Sequence, residues 1–312
     1  MERMTETAGG DRAVERSEGE RRVALVTCAD LPAADEDSRL VIAPLAAHGV
    51  RVEPAVWDDP AADWAAFDLA VVRSCWDYVP RRREFLTWAD GVPNLANPAR
   101  VLWWNTEKRY LLDLQEAGVP ILPTDWVNPG EWWEAPDEGE WVIKPSVSLS
   151  SMDTGRYRLA DAAERRLAVE HVRRLQAQNR LVMVQPYQPS VEDEGETSLI
   201  YFGQTFSHAV RKAPVLHGPD PGTAHRYDVP GEDPRPRTPS ETQLAVARAA
   251  LAAVPAGWEQ LLFARVDLIA GADGRPILME LELTEPSLFL AVAPGAADRF
   301  AVAIARAVGV ER

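Results

Sequence analysis

The strongest constraint on the fold of this 312-residue chain is a pair of apolar segments near its C-terminal end. Residues 261–269 and 276–283 are both rich in aliphatic side chains, and the sequence GADG lies close to the junction between them. Gly and Asp favour a tight turn, so the two segments are predicted to pair as an antiparallel hairpin. Side chains alternate between the two faces of a strand. The hairpin must therefore cover a core with one face and present its polar residues on the other.

The polar face of this hairpin carries a dense set of charges. Arg265 and Asp267 are two residues apart in the first strand, as Glu280 and Glu282 are in the second, and pairing brings the two groups together. Neighbouring carboxylates repel each other unless a cation joins them. Mg²⁺ prefers oxygen ligands and is usually completed by substrate phosphates. We therefore predict that Asp267, Glu280 and Glu282 bind magnesium; the alternative is a solvated face with incidental charge.

The first hundred residues follow a different pattern. Short apolar segments at 23–28, 50–56 and 68–73 predict buried strands, and a helix is expected to begin near Ser38 and to end at Gly49. Strands that alternate with helices are typical of a small parallel α/β unit. In such units, ligands bind beyond the carboxyl ends of the strands.

The sequence RSCWDY, residues 73–78, follows the third of these strands. Arg73 suits a substrate carboxylate because its guanidinium group binds in a bidentate manner. Trp76, Asp77 and Tyr78 are candidates for the wall of the same substrate pocket. Equally open is a packing role for the two aromatic residues, with Arg73 paired to Asp77.

A second hairpin is predicted from residues 196–202 and 205–212, which flank Gly203 and Gln204. The next segment, 213–238, is rich in Pro, Gly, Asp and Arg and has no periodicity. Long loops of this kind often close over active sites, so this segment is predicted to be a lid.

The second hairpin ends in Arg211 and Lys212. Adjacent residues of a regular strand point to opposite faces, so only one of them can enter a shared site unless a bulge intervenes. Cations near a reacting phosphoryl group neutralise its charge. The pattern leaves both residues as catalytic candidates.

Lysine is rare in this chain: Lys108, Lys144 and Lys212 stand against 30 arginines. A lysine is a compact charge that suits single phosphate oxygens. Lys144 ends an apolar segment and needs an anionic partner if it is buried, whereas a surface position is equally open for Lys108. The hydroxyl-rich loop 146–154 could cover phosphates with its amide and hydroxyl groups.

Composition limits the classes of function. The net charge of −15 disfavours binding to nucleic acids and to anionic membranes. Cys28 and Cys75 are the only cysteines, so neither a disulfide framework nor a zinc site is expected, and a reducing cytoplasm fits. No apolar segment is long enough to span a bilayer, and the polar residues 1–22 are predicted to form a disordered tail. The expected partners are small molecules, with a homo-oligomer left open.

Six segments resemble, in their order and spacing, the ATP-grasp superfamily of ligases: NTEKRYLLDLQEAGVP, WVIKPS, VQPY, GETSLIYF, ARVD and MELEL. The resemblance implies an α/β fold of the ATP-grasp (α+β) type. In this fold an N-terminal parallel α/β unit is followed by two subdomains with antiparallel sheets that clasp ATP. The expected boundaries are 23–104 for the N-terminal unit, 105–184 for the central lid subdomain and 185–312 for the C-terminal subdomain with the metal site.

The resemblance also implies roles for single residues. Lys108 and Lys144 would contact the ATP phosphates, with Ser150 and Ser151 in the loop that is usually Gly-rich. Arg265 would stabilise the transferred phosphoryl group. The residues implied around adenine and ribose are Gln185, Pro186, Tyr187 and Glu196, with Glu192 and Glu194 as alternatives for the ribose. Glu282 stands where the family usually has Asn, which adds a negative charge but keeps an oxygen ligand.

Within the superfamily, RSCWDY, WNTEKRYLLDL, KPSVSLSSMDTGRY and SHAVRKAP are most similar to the branch that contains O-ureido-serine cyclo-ligase, an enzyme of cycloserine biosynthesis. The implied reaction uses ATP and Mg²⁺, expected as two ions, to convert a carboxylate into an acyl phosphate that an amine then attacks. An amine in the same molecule gives a ring, and one from a second molecule gives an amide or dipeptide. A catalytically silent nucleotide-binding protein is the interpretation from another class.

Overall fold

The computed structural model describes residues 20–222 and 231–310. Its strands are β1 (Arg21–Thr27), β2 (Val50–Val56), β3 (Leu69–Ser74), β4 (Leu95–Ala96), β5 (Asp125–Val127), β6 (Glu140–Pro145), β7 (Gly155–Arg158), β8 (Val182–Pro186), β9 (Glu196–Phe202), β10 (Thr205–Lys212), β11 (Arg235–Arg237), β12 (Phe263–Ala270) and β13 (Pro276–Glu282). Its helices are α1 (Glu36–Arg39), α2 (Ile42–Ala47), α3 (Arg82–Gly91), α4 (Ala99–Asn105), α5 (Tyr110–Glu116), α6 (Ala162–Ala177), α7 (Ser190–Glu194), α8 (Glu241–Ala252) and α9 (Ala296–Ala307). Within the described ranges, no helix is both long enough and apolar enough to cross a membrane.

Strands β1 to β4 form the predicted parallel sheet, in the order β2-β1-β3-β4. Strand β1 is apolar throughout its buried part because both of its faces are covered. Val23 and Leu25 pack in the cluster that contains residues of α2 and α9, whereas Ala24 and Val26 pack in the cluster that contains residues of α3. The C-terminal helix α9 therefore returns to the first sheet and closes its core.

Two sequence predictions for this unit are corrected. Arg21 and Arg22 belong to β1, so the predicted tail 1–22 extends too far, and its residues 1–19 lie outside the described residues. The single helix expected from Ser38 is two short helices, α1 and α2. Asp35 caps the first of them by accepting a hydrogen bond from the Ser38 amide.

The central sheet is antiparallel and has the order β5-β8-β6-β7. Helix α6 covers one of its faces with Ala168, Val172 and Leu175, which pack against residues of β6 and β8. Strand β8 runs through the predicted domain boundary between residues 184 and 185. A pairing strand cannot be divided between two units, so the central sheet ends a few residues later than the sequence suggested.

The third sheet is antiparallel in the order β11-β10-β9-β12-β13 and contains both predicted hairpins. Strands β9 and β10 are joined by Gly203 and Gln204, and β12 and β13 by a turn that includes Asp273 and Gly274. One face of this sheet packs against α8 and α5 in a large apolar cluster. The opposite face of β12 and β13 is left for polar side chains.

Strand β13 is at the edge of this sheet. Side chains of α4 and α5 form hydrogen bonds with main-chain groups along that edge. The Asn105 amide group donates to the Leu281 carbonyl (2.8 Å) and accepts from the Leu283 amide (2.7 Å), and the Tyr110 hydroxyl oxygen accepts from the Leu281 amide (2.9 Å). Thr106, next to Asn105, is the C-cap of α4. The carboxylate-bearing strand is therefore held on both sides.

The loop that follows β13, residues 284–291, is fixed by the N-terminal unit. Arg73 and Trp76 donate to two main-chain carbonyls of this loop, at 2.9 and 3.2 Å. Asp37 accepts hydrogen bonds from three of its amides, at 2.5, 3.2 and 3.4 Å. These contacts join segments that are more than 200 residues apart in the sequence.

Candidate active site

A cleft of about 480 Å³ lies between the central sheet and the C-terminal sheet. Its lining contains the sequence-predicted residues Trp76, Tyr78, Lys108, Lys144, Ser150, Ser151, Gln185, Pro186, Tyr187, Glu196, Lys212, Arg265, Asp267, Glu280 and Glu282. Three other candidates, Arg73, Asp77 and Arg211, do not line it. Chain segments far apart in the sequence thus meet around one space.

The acids of the C-terminal hairpin occupy paired positions in this cleft. Asp267 is the register partner of Glu280, and Arg265 is the register partner of Glu282. The regular pairing is interrupted by a bulge only after Asp267. Strand alternation and pairing alone therefore bring these four side chains onto one face.

Asp267 is the most strongly balanced of the acids. The Arg265 guanidinium group donates to it (Nη2 to Oδ2, 2.9 Å), and the Lys212 ammonium group lies 3.3 Å from the same oxygen. Burial of Asp267 opposes ionisation, but Arg265 and Lys212 outweigh it and lower the pKa of Asp267 to about 2. Asp267 is therefore ionised at neutral pH.

Glu280 is paired with the lysines of the central part of the chain. The Lys108 ammonium group lies 3.0 Å from its carboxylate and also donates to the Ser148 carbonyl (2.7 Å). Burial opposes ionisation of Glu280, but Lys108 and Lys144 together hold its pKa below the usual value. The pKa of the half-buried Lys144 is itself lowered by desolvation. This arrangement connects the Ser-rich loop to the acids.

Glu282 is the hardest of the three acids to ionise. Burial raises the pKa of Glu282 to about 8, and the nearby Glu280 and Asp267 add to this effect, although Arg265 opposes it. Three oxygen-donor groups on one face of the hairpin fit a hard divalent cation such as Mg²⁺, which would favour the ionised form of Glu282. In the part of the chain that the structure describes, no three such groups already converge on one point. The acids are held by Lys108, Lys212 and Arg265 instead, and their role as metal ligands stays a prediction.

The predicted adenine-binding residues are at the end of β8. The Gln185 side chain donates to Thr124 (2.8 Å), and the Tyr187 amide donates to the Glu140 carbonyl (2.8 Å). Of the acids considered for the ribose, Glu196 lines the cleft and lies 2.9 Å from Lys212. Glu192 pairs instead with Arg156 outside the cleft lining. The geometry thus favours Glu196 over this alternative.

The loop 146–154 has the backbone geometry that glycine usually supplies. Ser150 and Ser151 both have positive φ angles, 48° and 55°, and both line the cleft. Non-glycine residues rarely adopt this left-handed conformation. At these two positions the Ser-rich loop therefore adopts a backbone conformation that glycine adopts more readily.

The choice between Arg211 and Lys212 is decided by strand alternation. Arg211 points away from the cleft and donates to the carbonyls of Glu194 (2.9 Å) and Asp193 (3.3 Å). The irregularity in β10 is near Phe206, too far away to change the faces of residues 211 and 212. Lys212 faces the cleft and stays a catalytic candidate. The prediction that Arg211 is catalytic is wrong, because its side chain is outside the cleft.

The prediction that Arg73 and Asp77 bind the substrate is also wrong, because neither residue lines the cleft. Arg73 is 1% exposed and donates to Ser38 (3.1 Å) and to the loop after β13. Asp77 accepts from the Trp57 indole (2.9 Å) and pairs with Arg81. The two residues therefore have separate structural partners and do not pair with each other.

Two acidic residues of the cleft are not marked by any motif or periodicity in the sequence. Glu285 lines the cleft in the loop after β13, and Glu232 lies 3.7 Å from the Lys212 ammonium group. Glu285 follows the hairpin motif by only three residues, but no periodicity extends to it. Its position depends on the contacts that the loop makes with the N-terminal unit.

Comparison with known proteins places this geometry in a family. Residues 23–98 match the family model of the N-terminal domain of D-cycloserine synthetase DcsG. The chain is 40% identical over 301 residues to the cycloserine biosynthesis protein DcsG of Streptomyces lavendulae, which covers 91% of this chain and 97% of that protein. The chain belongs to the DcsG family. The resemblance to ATP-grasp ligases of the cycloserine branch is thereby confirmed.

Solved structures agree with this membership of the DcsG family. The crystal structure of D-cycloserine synthetase DcsG matches with a TM-score of 0.80 and 36% identity, over 92% of this chain and 99% of that one. A RimK-domain ATP-grasp protein of Sphaerobacter thermophilus (TM-score 0.63, 17% identity, 93% and 99% covered) shares the fold. So does the D-alanine–D-alanine ligase of Bacillus anthracis (TM-score 0.62, 16% identity, 93% and 97% covered). The predicted ATP-grasp fold class is confirmed.

Proposed function

We propose that the chain is a Mg-ATP-dependent ligase that activates a substrate carboxylate as an acyl phosphate and then forms a C–N bond by ring closure. The observation that carries this proposal is the meeting of three acids, Arg265 and the chain's three lysines around one cleft. The relatives that are named as a D-cycloserine synthetase and a cycloserine biosynthesis protein support ring closure on an O-ureidoserine-like amino acid.

ATP would bind along the length of this cleft. Adenine would lie against the strand end 185–187, and Glu196 would accept hydrogen bonds from the ribose hydroxyls. Lys108 and Lys144 would contact phosphate oxygens, which supply the anionic charge that a buried lysine requires. The main chain at Ser150 and Ser151 would cover the same phosphates.

Magnesium would be held by Asp267, Glu280 and Glu282, and two ions are proposed. When bound, Mg²⁺ neutralises the phosphate oxygens on which negative charge develops. Phosphates and metal together would draw Lys108 and Arg265 away from their present carboxylate partners. The acids, which pair with these basic side chains in the structure, would then be free to face the cation.

The first reaction step is attack by a substrate carboxylate oxygen on the γ-phosphorus of ATP. The bond from that phosphorus to the β–γ bridging oxygen breaks, and ADP leaves with the electron pair. Arg265 is suited to neutralise the charge of the transferred group, because it is buried in the cleft and permanently charged. Lys212 holds Asp267 in place through the ion pair described above.

In the second step a nitrogen of the same substrate attacks the acyl carbon, and phosphate leaves. Water in the cleft would hydrolyse the acyl phosphate, so the site must be closed. The proposed lid consists of loop 146–154 and segment 213–238, of which residues 223–230 lie outside the described residues. Val215 and Leu216 of this segment line the cleft and can exclude water.

The proposal is tested by ADP release with O-ureidoserine, ATP and Mg²⁺, with the product mass measured. A cyclic product contains one amino-acid unit, whereas a product with two units would show intermolecular ligation. ATP binding without ADP release over a broad amino-acid panel would instead indicate a silent nucleotide-binding protein.

The first prediction is that Glu280→Gln lowers ADP release by about 100-fold or more, because it removes a charge that the metal ions and lysines require. The fold should survive, as judged by the thermal unfolding midpoint. Glu116→Gln makes the same chemical change at an exposed position of α5 and serves as the matched control. Turnover of Glu280→Gln close to that of the control would contradict the assigned site.

We further propose a cytoplasmic location. Cys28 and Cys75 are both free thiols buried in the N-terminal unit, which fits a reducing compartment. Self-association into a homo-oligomer also stays a proposal, and light scattering of the purified chain would measure it.

A further inference from the structure

Glu285 occupies a fixed position in the cleft. Its main-chain carbonyl accepts a hydrogen bond from the Trp76 indole (3.2 Å), and the next carbonyl, that of Pro286, accepts one from Arg73 (2.9 Å). Two anchors on consecutive residues leave the loop little freedom at this point. The Glu285 side chain therefore enters the cleft from a rigid support.

Among the described residues, the carboxylate of Glu285 has no ion-pair partner. Its hydrogen-bond partner is the hydroxyl of the buried Tyr78, which also lines the cleft. In residues 20–222 and 231–310, no Lys, Arg or His nitrogen forms an ion pair with it, whereas Asp267, Glu280 and Glu282 each have at least one such partner. Burial raises the pKa of Glu285 to about 7, as expected for an acid that awaits a positive group.

Glu285 is also at the end of the cleft where the substrate must react. The Arg265 guanidinium group (Nη1) donates to the carbonyl of Ser287 (3.2 Å), two residues beyond Glu285, and both acids, Glu280 and Glu285, line the same cleft. In an α-amino acid, the nitrogen is about 2.5 Å from the carboxyl carbon, from the lengths of the two intervening bonds. A substrate whose carboxylate is activated beside Arg265 must therefore place its α-ammonium group close to this wall of the cleft.

We propose that Glu285 binds the α-ammonium group of the substrate, and that Tyr78 is a positioning residue that orients the Glu285 carboxylate. This inference rests on the proposed function and specifies its substrate class: α-amino acids with a free amino group. An ammonium group supplies the missing cation and leaves the Tyr78 hydroxyl bond intact. The competing interpretation is that Glu285 serves only as a structural acceptor for Tyr78.

The second prediction tests this with two substrates and two chains. O-ureidoserine is compared with 3-(ureidooxy)propanoate, which is the same molecule without its amino group, in the ADP-release assay. The wild-type kcat/KM should favour O-ureidoserine by about tenfold or more, the value of one charge-assisted hydrogen bond. Glu285→Gln should lose most of this preference and raise the KM for O-ureidoserine, while its KM for ATP stays within about twofold.

Further variants separate binding from a structural role. Tyr78→Phe should reduce the preference for the amino substrate by less than Glu285→Gln does, and Glu285→Asp should restore part of it. Glu116→Gln is again the matched control and should keep the wild-type preference. If Glu285→Gln is folded, as judged by thermal unfolding, and still prefers O-ureidoserine as strongly as the wild type does, the assignment of Glu285 is wrong. If Glu285→Gln does not fold, the Tyr78→Phe variant decides, and an undiminished preference in that variant contradicts the assignment. A wild-type chain that releases no ADP with O-ureidoserine overturns the proposed function itself.

Discussion

Single charges in the cleft differ in how completely they are balanced. Asp267 is shared by Arg265 and Lys212, and Glu280 is paired with Lys108. Within the described residues, Glu282 pairs with Arg265, which also binds Asp267. The residue where this chain departs from the usual Asn is therefore the acid of this set whose ionised form is least supported, since burial and the nearby Glu280 and Asp267 raise its pKa to about 8. A cation bound beside Glu282 would favour its ionised form.

The third prediction concerns His208, a buried neutral residue under the loop after β13. Its Nε2 donates to the Leu288 carbonyl (2.9 Å), and its Nδ1 accepts from the Ser207 hydroxyl (2.9 Å). Burial lowers the pKa of His208 to about 4, whereas an unfolded chain has the ordinary value near 6.5. The unfolded chain therefore binds a proton first as pH falls below 6.5, and stability is lost between pH 6.5 and 4. At pH 5 the loss should be about 2 kcal/mol relative to pH 8.

Urea unfolding at several pH values measures this effect. His208→Gln removes the titrating group. The change in its unfolding free energy between pH 8 and pH 5 should therefore be smaller than that of the wild type by about 2 kcal/mol. His48→Gln makes the same change at a half-buried position, the C-cap of α2, and should keep the wild-type dependence. Equal pH dependence in the wild type and His208→Gln would disprove the assignment.

At the scale of elements, the segment 213–222 acts as a strap between the two sheets that form the cleft. Its Gly218 carbonyl accepts from the Arg156 amide of β7 (2.8 Å), and Asp220 pairs with Arg174 of α6. The Asp220 amide donates to the Tyr157 hydroxyl oxygen (3.2 Å). The chain thus leaves the C-terminal sheet after β10 and is tied to the central sheet, which closes one side of the cleft.

The fourth prediction uses the tight fit of this strap. A Cβ atom at Gly155 would overlap the Asp220 amide nitrogen and the Tyr157 side chain, so Gly155→Ala must displace the strap and the tyrosine that binds it. We expect destabilisation of about 1–3 kcal/mol and faster proteolysis within 213–222. The kcat/KM for ATP should fall about tenfold, and more ATP should be hydrolysed without ligation because water enters. Limited proteolysis and the ratio of ADP to product measure these effects.

Gly91→Ala is the matched control for this variant. A Cβ atom at Gly91 meets nothing within 4 Å, and that residue ends α3 far from the strap. It should leave both kinetics and proteolysis unchanged. If Gly155→Ala behaves like Gly91→Ala, the strap does not control the cleft.

At the scale of the whole molecule, the proposed ATP site is shared by two sheets and the N-terminal unit. A ligand that contacts all three stabilises them together, by RT ln(1 + [L]/Kd) in the simplest case. At a concentration of about 100 times Kd this amounts to about 2.7 kcal/mol. Binding of the nucleotide should therefore be visible as a change in the global unfolding transition.

The fifth prediction concerns the thermal unfolding midpoint with a non-hydrolysable ATP analogue bound. The analogue should raise this midpoint more in the presence of Mg²⁺ than in the presence of EDTA. The reason is that the metal offsets the repulsion among Asp267, Glu280 and Glu282. Calorimetry measures the two midpoints, and Glu280→Gln should lose the Mg²⁺-dependent increment. Equal midpoints with Mg²⁺ and with EDTA in the wild type would show that these acids do not bind the metal.

Much of the site could be predicted from the sequence because its pattern is local. Alternation along a strand and a turn of two to five residues depend on neighbouring residues only, so both hairpins, the common face of Arg265 and Asp267, and the paired face of Glu280 and Glu282 follow from the sequence alone. The parallel N-terminal unit follows for the same reason, because short apolar strands alternate with helices.

Only the tertiary structure decided which residues reach the cleft from a distance. Arg73 ends a buried strand, as predicted, but the loop after β13 crosses its end and takes its hydrogen bonds. The same crossing brings Glu285, which no periodicity marks, into the cleft beside Tyr78. Contacts between segments some 200 residues apart depend on how whole sheets pack, and neither local propensity nor spacing contains that information.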